Sequence, residues 1–208
     1  MLPCCAVGAR KLAINLVGAG LNIRLAAPVG WMPQPPVVIH LRDARGSACY
    51  YSRRTMSAAS FHPTPMQEGM LFHTLSHPEG GVSVEQMVID LPERVDAAAL
   101  RAAWETVVAR HPALRMVFCW NDAGQATGQI AAAVAVPWQV VDQRDLNHAE
   151  QRAAFAAFLR QDRTQGFDPG RAPLLRLTLH LLADDQHRLT WTLHHVLLDG
   201  RSYPTVLE

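Results

Sequence analysis

LLRLTLHLLADDQHRLTWTLHHVLLDG, residues Leu174 to Gly200, is the stretch that decides the fold. Leu174 to Leu182 and His187 to His195 are two apolar runs separated by Ala183-Asp184-Asp185-Gln186. So short a connection joins antiparallel neighbours, because parallel strands need a long crossover. Side chains alternate along the second run. Leu189, Trp191, Leu193 and His195 therefore share one face, and Arg188, Thr190, Thr192 and His194 the other. The adjacent histidines point apart, which argues against a shared metal ion, since two ligands must converge on one centre. From the residues alone His195 keeps two readings. It is a proton-transfer group at a strand end, with a carboxylate four residues on and a Gly that lets the chain turn. Or it is a buried histidine bonded to backbone, with Asp199 capping a short helix over 201–207.

Upstream, the same local grammar continues. Thr64-Pro65-Met66-Gln67 reads as a helix start with a capping box, followed by an apolar stripe of Met66, Met70, Leu71 and Leu75. Val84 to Leu91 reads as a strand with Met87, Ile89 and Leu91 on one face. Asp96 caps a second helix carrying Leu100, Ala103, Trp104, Val107 and Val108, and His111-Pro112 ends it. Leu114, Met116, Phe118 and Trp120 alternate along another strand before the Asn121–Gly124 turn. Asn147 with Glu150 opens a third helix through Phe155, Phe158 and Leu159, which stops at Gly166. This order predicts an α/β fold, a two-layer mixed sheet with helices, and not a doubly wound parallel one.

The chain has 208 residues, 49% of them hydrophobic, which excludes wholesale disorder. Its 19 basic and 18 acidic residues nearly cancel, so a general nucleic-acid-binding field is not expected. The balance breaks near Met56. Residues 1–55 hold 7 basic residues and one acid, for a net of +6, and the remainder nets −5. Residues 1–55 read as a leader, disordered or preceding the natural start, and 56–208 as the folded unit. No stretch reaches the roughly 20 apolar residues of a membrane span. Three of the four Cys precede Met56, so the folded part is expected to hold one lone thiol, Cys119, which fits a reducing, cytoplasmic compartment.

Three stretches in order resemble the condensation domains of nonribosomal peptide synthetases. His194-His195-Val196-Leu197-Leu198-Asp199-Gly200 looks like the family's HHxxxDG signature. Thr64 to His73 is similar to its opening helix, and Arg110 to Phe118 to its RHxxLRTxF motif, with Met116 where Thr is usual. The resemblance implies one lobe of a two-lobed, chloramphenicol acetyltransferase-like fold with a reaction tunnel between the lobes. On it, 56–208 would be the N-terminal lobe, ending before the second. His195 would be the catalytic group, as general base or as the group that steadies the amine and the tetrahedral intermediate. His194 would shape the loop. Asp199 would anchor it through an ion pair, with Arg115 or the second lobe as partner, and Gly200 would let the backbone approach the substrate arm. The implied reaction is amide formation between a carrier-bound acyl or peptidyl thioester and a carrier-bound aminoacyl amine. No cofactor is bound directly, because phosphopantetheine arms belong to the carrier proteins. Implied partners are those carriers, adjacent synthetase modules and a second lobe encoded separately. Another HHxxxDG acyltransferase, an epimerisation domain and a non-catalytic gene remnant are the other readings the motif allows.

Overall fold

Helix starts are set by side chains that accept from otherwise unpaired N–H groups. Thr64 and Gln67 form a complete capping box, Asp96 accepts from Ala98 and Ala99, and Asn147 and Glu150 form a second box. The computed structural model describes residues 24–25, 56–77, 81–121 and 123–207. In chain order these contain β1 (Arg24–Leu25), β2 (Met56–Phe61), α1 (Pro65–Ser76), β3 (Val84–Leu91) and α2 (Ala97–Arg110). A 3-10 turn (Pro112–Arg115), β4 (Met116–Trp120), β5 (Ala126–Ala131) and β6 (Trp138–Asp142) follow. The remainder is α3 (His148–Gln165), β7 (Leu175–Ala183), β8 (Gln186–His194) and α4 (Ser202–Leu207).

The hairpin β7–β8 is the centre of a five-stranded mixed sheet of order β1-β3-β8-β7-β6. Its strands pair antiparallel except β6 with β7, which α3 connects as a right-length parallel crossover. Register aligns Met87 and Leu177 with Trp191 on either side of β8. One face carries Ile89, Leu177, Leu179, Leu189, Trp191 and Leu193, which bury against Leu100, Trp104 and Val108 of α2 in a single core. Trp104 and Trp191 rings lie 4.9 Å apart. Burying one such large side chain contributes on the order of 2–3 kcal/mol, so this face is the main source of stability.

A smaller antiparallel sheet, β2-β5-β4, packs Phe61 against Phe118. Gly128 of β5 is required there. A Cβ on it would stand 2.2 Å from the Phe61 ring.

Several sequence expectations change. Leu114 is not the first residue of a strand. Pro112 starts a 3-10 turn that buries Leu114, and β4 begins at Met116. Half of the stripe expected on α1 docks, since Leu71 is buried and Met70 packs against the core, but its other two members do not. Met66 and Leu75 are exposed, while Leu71 and Thr74 are buried, because the helix is held to the sheet by polar contacts described below. Cys119 is disulfide-bonded, so the expectation of a lone thiol is overturned, and the compartment argument built on it falls. The leader expected over residues 1–55 lies outside the described residues apart from β1.

Candidate active site

The two histidines at the end of β8 have different surroundings, as alternation requires. His194 is 0% exposed. The Val196 N–H donates to its Nδ1 at 3.1 Å, so Nε2 carries the proton and donates to Thr74 Oγ1 at 2.7 Å. The Thr74 hydroxyl in turn donates to the Met70 carbonyl at 2.9 Å. Burial first, and the neighbouring His195 second, push the His194 pKa down to about 4, so the ring is neutral. It is a structural pin between the loop and α1. Gln67, which also closes the cap of α1, donates from Nε2 to the Val196 carbonyl at 3.1 Å.

His195 faces the other way and is about a third exposed. Its N–H donates to the Ser83 carbonyl at 2.7 Å, from a residue at φ 61°, a left-handed conformation uncommon for a side-chain-bearing residue. Its Nδ1 lies 2.9 Å from the Leu198 carbonyl. A carbonyl only accepts, so Nδ1 bears the hydrogen and Nε2 is left with its lone pair. Nε2 makes no hydrogen bond among the described residues. A ring held in one tautomer with an open basic nitrogen can take a proton from a substrate.

The remaining expected site residues are dispersed. Asp199 Oδ1 accepts from the N–H groups of Arg201 and Ser202 and from the Ser202 hydroxyl, capping α4. These hydrogen bonds, with Ser202 foremost, hold its pKa below the usual carboxylate value. Arg115 is elsewhere. Its Nε donates to the Ala131 carbonyl at 2.9 Å, and Nη1 to the carbonyls of Val108 and Ala109. It ties the end of α2 to β5, so the expected Arg115–Asp199 ion pair does not form. The turn needs no left-handed backbone at Gly200, and a Cβ there would meet nothing within 4 Å. The space beside it is open.

Sequence reasoning missed Glu85. Its Oε1 lies 3.3 Å from His195 Nδ1, and the Tyr203 hydroxyl donates to its Oε2. Burial raises the Glu85 pKa, while His195 and Arg163 oppose that rise. A signal was present. Glu85 precedes Met87, Ile89 and Leu91 at alternate positions, so it is an acid on a core-facing row.

The mixed sheet, its central hairpin and the flanking helices define a chloramphenicol acetyltransferase-like α/β lobe. The chain belongs to the condensation domain family, whose model matches residues 59–208. It is 43% identical over 145 residues to a linear gramicidin synthase of Brevibacillus parabrevis, covering 70% of this chain and 3% of that protein. It is 33% identical over 143 residues to bacitracin synthase 1 of Bacillus licheniformis, with 69% and 3% covered. The starter condensation domain of rhizomide synthetase shares the fold with a TM-score of 0.64 at 21% identity, over 72% of this chain and 37% of that one. The chain thus spans little more than a third of a solved condensation domain chain, and a small fraction of the synthetases. Among the described residues no helix is long and apolar enough to cross a membrane.

Proposed function

We propose that this chain supplies the histidine-bearing lobe of a condensation centre in nonribosomal peptide synthesis. The reaction is amide formation between two carrier-bound substrates. The observation that supports it is the tautomer of His195, with Nδ1–H given to the Leu198 carbonyl and Nε2 open. The acceptor amine attacks the thioester carbonyl and a C–N bond forms. Nε2 takes the proton that the amine sheds, the C–S bond breaks, and that proton passes to the departing thiolate. An imidazole nitrogen with an open lone pair can both accept a proton and return it, which suits Nε2 to both transfers.

The other residues serve the loop. His194 pins it to α1, Asp199 starts α4, and Arg115 braces the sheet beneath. The open space beside Gly200 is where a phosphopantetheine arm, brought as part of the substrate by a carrier protein, would pass. Carriers and adjacent modules are the partners, and a second lobe supplies the facing wall that excludes water. Residues 56–208 form the body of the lobe, to whose larger sheet Arg24–Leu25 add a short edge strand. The test joins the lobe to a second lobe from a condensation relative and follows amide product between two loaded carriers by mass spectrometry. His195→Ala is expected to slow product formation about 10²–10⁴-fold. An undiminished rate overturns the reading.

A further inference from the structure

We propose that Glu85, seated on β3 between the His195 ring and the Tyr203 hydroxyl, is a positioning residue that holds His195 in its reactive orientation and balances the charge it acquires. This rests on the reading of His195 given above and adds a residue that no sequence motif supplied.

Glu85 pairs with Leu193 across the β3–β8 ladder, two residues before His195, so it and His195 emerge on the same face. The carboxylate is divided between two partners. Oε1 is 3.3 Å from His195 Nδ1, and Oε2 accepts from Tyr203 on α4. Tyr203 is itself set by packing, with its ring 5.6 Å from Trp191 at 89°. Strand β3, strand β8 and helix α4 thus converge on one carboxylate. The Nδ1 hydrogen is directed to the Leu198 carbonyl, so Glu85 acts through its charge. When Nε2 gains a proton the ring becomes cationic, and an anion beside Nδ1 lowers the energy of that state, as in carboxylate–histidine pairs of hydrolases.

An acid on a core-facing row is costly, and burial here opposes its ionisation. Tyr203 and His195 offset that cost, which gives the acid a reason to be there. Of the titratable groups around the pair, Arg163 from α3 favours the carboxylate, and His194 behind His195 is neutral and adds no charge. Asp199 is turned into the start of α4. Glu85 is about a third exposed, so solvent screens part of its effect.

The experiment uses the full chain and diethyl pyrocarbonate, which carbethoxylates unprotonated imidazole. Tandem mass spectrometry reads modification at His195 as a function of pH. Without the anion, the cationic ring is less favoured. Glu85→Gln should move the midpoint of the modification profile down by about 0.5–1 pH unit. Tyr203→Phe, which loosens the carboxylate but keeps it, should give a smaller shift of the same sign. Glu85→Asp should return most of the wild-type profile. Circular dichroism establishes that each variant is folded. An unchanged or raised midpoint in folded Glu85→Gln overturns the proposal. If that variant does not fold, an unchanged Tyr203→Phe profile does so instead. In the amide-forming assay Glu85→Gln should lower kcat about 10-fold with KM unchanged, and an unchanged kcat also overturns it. The chemical probe needs no carriers, so its failure falls on Glu85 alone. Amide formation that ignores His195→Ala falls on the reading of the site.

Discussion

His180 should make the fold sensitive to mild acid, and the size of the effect follows from its surroundings. It is 0% exposed on β7, and neither ring nitrogen has a hydrogen-bond partner. Phe155 and Phe158 of α3 enclose it edge-on, with ring centroids 5.1 and 4.6 Å away. Burial, helped by Arg188 and opposed by Asp162, pushes its pKa down from 6.5 to about 4. The folded protein therefore resists a proton that the unfolded chain accepts. Stability from this group is complete above the unfolded value and is lost as pH falls from about 6.5 to about 4. Each pKa unit corresponds to 1.36 kcal/mol, so the ceiling is about 3 kcal/mol, of which about 2 kcal/mol is lost between about pH 7.5 and about pH 5. His194, also at about 4, adds a similar loss. Glu85 is raised and acts with the opposite sign, so a difference between proteins is the sound measurement. Urea unfolding of wild type and His180→Leu should be compared across that range. The variant removes two buried nitrogens without partners, so it should match or exceed wild type near neutrality and lose about 2 kcal/mol less on acidification. Parallel curves would refute the reasoning.

Three further outcomes are expected. Gly128→Ala drives a Cβ into the Phe61 ring and should destabilise the protein by about 1–3 kcal/mol or more in denaturant unfolding, because the ring must move. Asp199→Asn keeps a capping oxygen and should leave the melting temperature near wild type, whereas Asp199→Ala should lower it; equal losses would favour an ion-pair role instead. Limited proteolysis should leave a resistant core beginning near Met56, and a core that also keeps Arg24–Leu25 would count against that domain boundary and show that their pairing with β3 extends it.

Much of the lobe was legible because its signals are local. The three long-helix caps rest on residues three positions apart, and the hairpin rests on one short connection between two apolar runs. The divergence of His194 and His195 followed from alternation alone. The docked face of α1 was only half legible. It runs Gln67, Met70, Leu71 and Thr74, a helical row whose polar members engage Val196 and His194, so a search for apolar periodicity found Met70 and Leu71 but completed the row with Met66 and Leu75. Strand β5, with sequence ATGQIA, lacks β-branched alternation and is held by its neighbours β2 and β4. The partners of Asp199 and Arg115 depend on where α4 and β5 fall in space, and an expected charge pair gave way to backbone hydrogen bonds. Glu85 needed the register of β3 against β8 before its nearness to His195 could be seen.

The central claim is that two adjacent histidines divide chemistry from structure. The direct measurement is a side-by-side comparison of His195→Ala and His194→Ala for single-turnover amide formation between loaded carriers, with thermal melting of each. His195→Ala should lose about 10²–10⁴-fold in rate with only a modest drop in melting temperature, because its ring is partly exposed even though the Leu198 carbonyl and Glu85 each lose a partner. His194→Ala should melt earlier, because it leaves Thr74 and the Val196 N–H without their partner, and it should retain the larger share of its rate while folded. The reverse pattern, with rate lost on His194→Ala and kept on His195→Ala, would contradict the account.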